Sequence, residues 1–401
     1  MMNTHTHPAL PLANLKVLEL GQLIAGPFCG QLLADFGADV IKVEAPDRPD
    51  PARDWGAVKQ AGIGLMWPVI GRGKRAITLN LRISAGQDLL ARLAADADIL
   101  VENFRPGTLE KWGLSPDRLQ EINPRLIIVR VSGYGQTGPE AGKAGYASVG
   151  EAKAGLRHLI GEPDRPPARA GVSLGDTLTG TFAALGAMIA VHARQSTGKG
   201  QIVDAAIYES VLAVMESLIP EYALAGHTRE RSGAILPKVA PSSAYPCADG
   251  MVIIGANQDT LFARLAEMCG ADWASDPRYA THDARGDHQA ELDDKISAWT
   301  RTRPVADVIA AADAHSVPCG PVNTARDLLE DAHVAARAAI VRLAHPLLGD
   351  VPMQAPTPQL SETPGALSRP APGHGAHTRE VLAGLGLSAE ALAQLKAGGV
   401  I

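Results

Sequence analysis

Short apolar runs alternate with helical patterns in the first part of the chain. Residues 15–20 and 39–43 are strand-like runs, and residues 28–36 have apolar positions at helical spacing before Gly37. A strand, a glycine-containing turn, a helix and a second strand within about 30 residues predict a βαβ unit. Such units favour a parallel sheet covered by helices, so we expect an α/β fold.

The pattern recurs downstream, with extended segments over residues 76–81, 98–101 and 126–131 and a helix over 84–95. A long apolar helix is predicted over residues 173–194. Its Leu178, Phe182, Leu185 and Ile189 follow one another at steps of four, three and four residues, so we expect that face in the core. A second long helix is predicted over residues 205–225.

A polar, proline-containing stretch over residues 226–246 precedes a shorter α/β segment, and a strand over 340–343 is expected to return to the first domain. The length of 401 residues allows two or three domains. We therefore predict a large Rossmann-like parallel-sheet domain formed by residues 1–225 with 326–401. A smaller α/β domain is predicted over 226–325.

Composition and charge exclude several classes of protein. The chain has 37 basic and 43 acidic residues and 46% hydrophobic residues, the balance of an ordinary soluble enzyme without the basic excess of a nucleic-acid-binding protein. The four cysteines are widely spaced and the twelve histidines scattered, so neither a disulfide framework nor a metal site is expected. Residues 1–11 do not match a signal peptide, and no long apolar run predicts a membrane span. We expect a cytoplasmic protein.

Two glycine-containing loops are candidate ligand sites. Residues 133–138 match GxGxxG directly after a strand, but Pro139 and Gly142 predict a continuing loop rather than the helix that a dinucleotide needs. Open α/β sheets still bind ligands at this end of their strands. Residues 71–75 combine glycines with Arg72, Lys74 and Arg75, which would suit a phosphate-bearing ligand on a flexible loop.

Two interpretations are open for Asp176, near the start of the long apolar helix. Ser173 and Asp176 approximate a capping box, which would make the carboxylate structural. The positive end of the helix dipole would equally keep that carboxylate ionised as a nucleophile. Cys29, early in the first helix, is interpreted as a small buried residue rather than an activated thiolate.

Several short segments, in order along most of the chain, resemble one family. They are LELG (18–21), AGP (25–27), FGADVIKVE (36–44), VENFRPG (101–107), INPRL (122–126), SGYG (132–135), GD (175–176), TGKGQ (197–201) and GPV (320–322). The chain thus resembles the class III coenzyme A transferases of the CaiB/BaiF type, which include formyl-CoA transferase, carnitine CoA transferase, succinyl-CoA-dependent dicarboxylate transferases and α-methylacyl-CoA racemase.

The resemblance implies that Asp176 is a nucleophile that attacks an acyl-CoA thioester to give a mixed anhydride and then an aspartyl-CoA thioester. A small carboxylic acid would accept the CoA by the reverse steps, with CoA thioesters as substrates and no metal or prosthetic group. It also implies an interlocked homodimer. The implied CoA contacts are Leu23, Ile24, Ala25, Arg72, Lys74, Arg75, Asn103, Phe104, Arg105, Lys111, Lys143 and Tyr146.

Departures from the family pattern narrow the expected substrate. Residues 231–243 lack the consecutive glycines of formyl-CoA transferases, which argues against formyl-CoA:oxalate specificity, and residues 145–148 replace the histidine motif of the racemases. Residues 235–246 are most similar to the succinyl-CoA-dependent dicarboxylate branch, whose acceptors include mesaconate, citramalate, itaconate, malate and glutarate. By charge alone, candidates for the distal carboxylate are Arg169, Arg231 and Lys238. The alternatives are a 2-methylacyl-CoA racemase, a formyl-CoA:oxalate CoA transferase and a non-catalytic acyl-CoA-binding protein.

Overall fold

The computed structural model describes residues 10–401, which form two compact units. The first comprises the described residues up to Leu156 together with Ala170–Ser217 and Ala336–Ile401. The second comprises Arg157–Arg169 and Leu218–Ala335. The predicted smaller domain, 226–325, lies inside the second unit, and the segment before Ala170 gave no sequence signal for belonging there.

The strands in chain order are β1 (Lys16–Glu19), β2 (Asp39–Glu44), β3 (Lys59–Gln60), β4 (Ile63–Gly64), β5 (Lys74–Thr78), β6 (Ile99–Glu102), β7 (Ile127–Ser132), β8 (Ile202–Ala206), β9 (Ser242–Pro246), β10 (Met251–Gly255), β11 (Cys319–Pro321), β12 (Ile340–His345) and β13 (Gly349–Gln354).

The helices are α1 (Ala25–Asp35), α2 (Met66–Ile70), α3 (Ser84–Ala94), α4 (Thr108–Lys111), α5 (Pro116–Ile122), α6 (Ala147–Lys153), α7 (Leu156–Leu159), α8 (Leu174–Thr197), α9 (Ile207–Leu212), α10 (Leu218–Ala225), α11 (Asp259–Met268), α12 (His282–Asp287), α13 (Gln289–Thr300), α14 (Val305–Ala314), α15 (Ala325–Glu330), α16 (Ala332–Ala336), α17 (Thr378–Gly384) and α18 (Ala389–Ala397). Short 3₁₀ turns cover Pro51–Arg53 and Trp273–Ser275.

A six-stranded parallel sheet in the order β5-β2-β1-β6-β7-β8 is the centre of the first unit. Counted by position within this sheet, the order is 3-2-1-4-5-6, that of a doubly wound fold. The prediction of a large parallel sheet is confirmed. The strand order reverses between β1 and β6, where Val17 pairs with Ile99. Doubly wound sheets bind ligands at such a switch point, outside the carboxyl ends of the strands.

Alternating side chains divide the core of this unit between the two faces of the sheet. Val17 and Ile99 pack with α1 and α8 on one face, whereas Leu18 and Leu100 pack with α3, α17 and α18 on the other. Both faces are therefore covered by helices, as the βαβ pattern predicts.

Helix α8 buries a different face from the predicted one. Phe182, Leu185 and Ile189 are 36%, 53% and 59% exposed in the single chain, so their predicted burial is wrong. The buried face is made of small residues, among them Gly180 and Ala187, because α8 packs closely against α1 and the sheet. By length and composition α8 could cross a membrane, but the core helices of soluble proteins meet the same criteria. Its face of small residues lies inside the fold, so no membrane protein is indicated.

The second long helix predicted over residues 205–225 is interrupted. The segment begins with the end of β8, continues as α9 and resumes as α10. Glu216 between the two helices has a φ of +51°, which no α-helix accommodates. The boundary between the two units falls at the same place, after Ser217.

The second unit contains the antiparallel sheet β11-β10-β9 with α11, α13 and α14 packed around it. Its core includes a fully buried arginine, Arg285, whose guanidinium donates to the carbonyl of Tyr279 (2.9 Å) and to Oδ1 of Asp259 (2.6 Å). The shorter α/β segment predicted after residue 246 contains the strand β10 and the helices α11, α13 and α14.

A cluster of buried charges links three neighbouring strands of the large sheet. Glu19 on β1 binds Lys42 on β2 (3.0 Å) and Lys74 on β5 (2.6 Å), and all three side chains are fully buried. Lys42 also binds Asp50 (2.7 Å). Burial lowers the pKa of Lys42, but the charges of Glu19 and Asp50 outweigh it and raise the pKa overall. Burial is the main cause that lowers the pKa of Lys74.

Removing the Glu19 carboxylate should therefore lower the stability of the fold. In Glu19→Ala, two buried ammonium groups lose their shared carboxylate, and we expect the free energy of unfolding to fall by about 3–5 kcal/mol in denaturant titrations. Asp96→Ala is the matched control, because it removes a carboxylate from an exposed ion pair with Lys16. Equal effects of the two substitutions would contradict a stabilising role for the buried cluster.

Candidate active site

A cavity of about 230 Å³ lies at the switch point of the sheet, beyond the ends of β1, β6 and β7. Asp176, from the first turn of α8, is among its walls. The lining residues are Gln22, Leu23, Ile24, Ala25, Trp55, Asn103, Phe104, Val131, Ser132, Gly133, Gly145, Tyr146, Ala147, Asp176 and Ile207.

Asp176 is the third residue of α8, whose N-cap is Ser173. The Ser173 side chain accepts no capping hydrogen bond from this turn, so the half of the approximate capping box that Ser173 would supply does not form. The N–H of Gly175 donates instead to Oε1 of Glu151 on α6, at 2.9 Å. Asp176 is thus a partly buried carboxylate near the positive end of a 24-residue helix, a position that favours its ionised form.

The side chain of Asn103 binds the main chain of the turn that follows β1. Its Oδ1 accepts from the N–H of Gln22 and its Nδ2 donates to the carbonyl of Gln22, both at 2.8 Å. Because both groups of one amide bind the same residue, they fix the orientation of residue 22 along the cavity wall.

Phe104 is fixed by its own backbone and by an aromatic neighbour. Its N–H donates to Oε2 of Glu102 (2.7 Å), whose other oxygen accepts from Arg130 (2.8 Å). Burial raises the pKa of Glu102, although the Arg130 guanidinium opposes this shift. The Phe104 ring meets Trp112 edge-on, with centroids 5.1 Å apart. The Phe104 ring is therefore held in one orientation where it lines the cavity.

Leu23 has a φ of +63°, an unfavourable conformation for a residue with a side chain. Its N–H donates to Oδ1 of Asp50 (3.0 Å), and Asp50 is held by Lys42. Burial raises the pKa of Asp50, but Lys42 outweighs burial and the pKa is lowered overall. A lowered carboxyl pKa contributes stability that is present above the ordinary value of 3.8 and is lost in acid. The strained turn and the buried charges are thus one connected structure.

The GxGxxG segment is a loop, as predicted from Pro139 and Gly142. The strand β7 ends at Ser132, and the next helix, α6, begins only at Ala147. Gly133 and Gly145, at the two ends of this loop, cross so closely that a Cβ on Gly133 would lie 2.6 Å from the Cα of Gly145. Both glycines line the cavity, so the main chain itself forms that wall.

Among residues 10–401, no group of three His, Cys, Asp or Glu side chains could hold a metal ion. The arrangement offers a carboxylate at a helix start, two main-chain walls and a lining of both polar and apolar side chains. A carboxylate in such a setting can act as a nucleophile toward an acyl group.

Comparison with known proteins assigns the chain to a family. The sequence profile of CoA-transferase family III matches residues 12–378. The chain belongs to CoA-transferase family III. It is 54% identical to the succinyl-CoA–D-citramalate CoA-transferase of Chloroflexus aurantiacus, across 98% of this chain and 99% of that protein. It is also 40% identical to the succinyl-CoA–L-malate CoA-transferase beta subunit of the same organism, across 99% of each.

The fold of this family III CoA-transferase also matches a solved structure. A CaiB/BaiF family protein from Brucella suis superposes with a TM-score of 0.85 at 35% identity, covering 94% of this chain and all of that chain. The resemblance stated from the sequence is therefore confirmed, and the chain is an enzyme of the class III CoA-transferases.

The CoA-transferase brings together about half of its predicted site residues. Those that line the cavity with Asp176 are Leu23, Ile24, Ala25, Asn103, Phe104 and Tyr146. Arg105 and Lys111 are exposed on the segment after β6. Lys143 borders a neighbouring cavity of about 540 Å³, where it binds Glu140 (2.7 Å) and where Tyr134, Lys153 and Tyr208 also lie.

The predicted flexible basic loop is not solvent-facing, and that expectation is wrong. Arg72 is buried against Asp35, with two hydrogen bonds of 2.9 and 2.7 Å, and Lys74 is buried against Glu19. Arg75 binds Asp39 and Glu380. The charges of these three residues are therefore neutralised within the chain, which leaves a phosphate-binding role for them without structural support.

Other predicted side chains also have identified surroundings. Cys29 is fully buried, and burial raises the pKa of its thiol to about 12, which confirms the structural interpretation. In the second unit, Arg231 donates to the carbonyl of His158 (3.0 Å), and Lys238 forms an ion pair with Asp287. Their assignment to a distal carboxylate stays a prediction, as does that of Arg169.

Sequence reasoning missed several lining residues of the enzyme. Gln22 directly precedes the predicted Leu23, and this adjacency was a usable signal. Trp55 and Ile207 reach the cavity from segments outside the matched motifs, and Ala147 begins a short helix. Only the folded chain shows their proximity to Asp176.

The two hydrogen bonds from the Asn103 side chain to the main chain of Gln22 form a clamp on the turn. Removing this clamp should reduce turnover and leave the protein folded. In Asn103→Ala the turn at Gln22 loses both hydrogen bonds, and a displacement of about 1 Å in a site wall can lower kcat/KM by about 10²-fold. Steady-state kinetics with a CoA thioester donor would measure this. Asn103→Asp retains an acceptor for the Gln22 N–H but no donor, so an intermediate effect is expected. Full activity of Asn103→Ala would show that the clamp is dispensable.

Proposed function

We propose that this CoA-transferase moves CoA from succinyl-CoA to a dicarboxylic acid through a covalent intermediate on Asp176. The observation that carries the proposal is the position of Asp176, which lines the switch-point cavity from the first turn of α8. Leu23, Ile24 and Ala25 line the same cavity, where the family resemblance implies CoA contacts.

The relatives support the substrate class. Those matched at 54% and 40% identity over almost the full chain are named for succinyl-CoA as one substrate and for D-citramalate or L-malate as the other. Both acceptors are short hydroxydicarboxylates. We therefore propose succinyl-CoA as the donor and a short dicarboxylate as the acceptor, with citramalate as the first candidate.

The proposed reaction proceeds by four acyl transfers. A carboxylate oxygen of Asp176 attacks the thioester carbonyl of succinyl-CoA, and the C–S bond breaks to give a mixed anhydride and CoA thiolate. The thiolate attacks the aspartyl carbonyl and releases succinate, leaving an aspartyl-CoA thioester. The acceptor carboxylate then displaces the thiolate to form a second anhydride. Attack of CoA on the acceptor acyl carbon yields the new thioester and restores Asp176.

The site suits this relay for two physical reasons. The helix dipole of α8 favours the carboxylate form of Asp176, which the first and last steps require. The thioester energy is kept because each step exchanges one activated acyl group for another, provided that water is excluded from the anhydride. The apolar lining from Leu23, Ile24 and Ile207 serves that exclusion.

We also propose that the enzyme works as an interlocked homodimer. Leu185 and Ile189 on α8 are more than half exposed in the single chain, with Phe182 beside them. An apolar row of this kind on a long helix is typical of an interface. A second copy of the chain is the occupant that the family resemblance implies.

The covalent relay predicts a trapped adduct on one residue. After incubation with succinyl-CoA, mass spectrometry should find the protein heavier by coenzyme A less one water, with the added mass mapped to Asp176. Borohydride should convert the modified aspartate to homoserine, as expected for a thioester. Asp176→Ala should form no adduct and lose essentially all turnover, whereas Asp88→Ala removes an exposed carboxylate on α3 and should behave as the wild type.

Other outcomes would identify the alternatives. Full turnover by Asp176→Ala would refute the aspartyl intermediate. Solvent deuterium at Cα of an acyl-CoA, without an acceptor acid, would support the racemase. Tight CoA binding without exchange across many acids would support a binding protein.

The dimer proposal predicts that a charge on the exposed face of α8 separates the subunits. Leu185→Glu should shift the mass measured by light scattering from that of two chains toward one. Gln195→Glu places the same charge at an exposed polar position of the same helix and should leave the mass unchanged. A wild-type protein of single-chain mass would refute the dimer.

A further inference from the structure

The first turn of α8 is held by a residue from another helix. The N–H of Gly175 donates to Oε1 of Glu151 on α6, at 2.9 Å. Glu151 is only 3% exposed, so this hydrogen bond is sheltered from water. Gly175 is the immediate neighbour of Asp176, and any movement of its peptide would carry Asp176 with it.

The contact between these helices leaves little space. A Cβ on Gly175 would lie 3.0 Å from Cγ of Glu151 and 3.2 Å from the carbonyl oxygen of Ala147. A side chain at position 175 would therefore press against the glutamate. The close approach lets a carboxylate on α6 reach the main chain of α8 directly.

Helix α6 is itself fixed on its other side. A Cβ on Gly150 would lie 2.5 Å from Cγ2 of Ile207, the first residue of α9. Ala147 and Ile207 both line the cavity that contains Asp176. Glu151 thus projects from a short helix packed between α8 and α9, and it connects the cavity wall to the turn that carries the aspartate.

We propose that Glu151 is a positioning residue for Asp176. Its oxygen accepts the Gly175 N–H and so sets the orientation of the aspartyl carboxylate toward the thioester carbonyl. This role rests on the proposed function of Asp176 as the nucleophile. It requires an acceptor oxygen at this place rather than a negative charge or a transferable proton. It concerns the acyl-transfer steps and not the binding of CoA.

The proposal predicts a separation of kcat from KM. Glu151→Ala should lower kcat and the rate of adduct formation by about 10- to 100-fold, because a small displacement of a reacting group costs much of the advantage of orientation. KM for succinyl-CoA should change less than about threefold, because the interactions that bind the substrate in its ground state are unchanged. Glu151→Gln keeps a carbonyl oxygen as acceptor and should recover most of the wild-type rate.

Two further variants separate positioning from general damage to the fold. Val149→Ala shortens an exposed side chain on the same helix and should leave kcat and the thermal midpoint unchanged. Gly175→Ala keeps Glu151 but places a methyl group 3.0 Å from its Cγ, so that the glutamate must shift, and it should lower kcat as Glu151→Ala does. This second variant tests the proposal even if Glu151→Ala does not fold.

The outcomes distinguish a failure of the positioning role of Glu151 from a failure of the proposed function of Asp176. Wild-type adduct formation in Glu151→Ala, or a Glu151→Gln variant as slow as Glu151→Ala, would overturn the positioning role. If Asp176→Ala is inactive in those same experiments, the proposed function survives and only the inference about Glu151 fails. If Asp176→Ala retains turnover, the proposed function itself fails.

Discussion

The switch-point cavity depends on buried ion pairs that join three strands of the sheet to one another and to Asp50, the residue before the first 3₁₀ turn. An ammonium group without a partner in this apolar layer would be strongly unfavourable, so Lys42 and Lys74 stay buried only while Glu19 and Asp50 stay in place. Lys42 also donates to the carbonyl of Gly21 (2.8 Å), and Asp50 accepts from Leu23. The ions that join β1, β2 and β5 therefore also fix the turn beside Asp176.

The sequence predicts the parallel sheet because strand-like apolar runs recur, with helical patterns between some of them, over the first 131 residues. It does not predict which face of α8 is buried. Periodicity shows that Phe182, Leu185 and Ile189 share a face, but not what covers that face. The core contact is made by glycines and alanines, because close helix packing requires small side chains and these carry little signal in an apolar pattern.

Part of the site could be predicted because some of its residues directly follow strands of the sheet. Leu23 lies between two motifs that follow β1, and Asn103 lies in the motif that follows β6; neighbouring parallel strands bring those two ends together. The burial of Arg72 and Lys74 could not be predicted, because their partners, Asp35 and Glu19, are distant in sequence. A local reading of charge cannot tell a buried ion pair from a solvent-facing phosphate site.

Asn103 holds the turn through the main-chain N–H and carbonyl of Gln22, and the Gln22 side chain takes no part in these two hydrogen bonds. The turn therefore keeps its shape whichever side chain stands at that position. A substitution at residue 22 would therefore alter the lining of the cavity while the two main-chain hydrogen bonds that hold the turn stay available. The shape of the backbone and the chemistry of the cavity wall are in this way separate at residue 22.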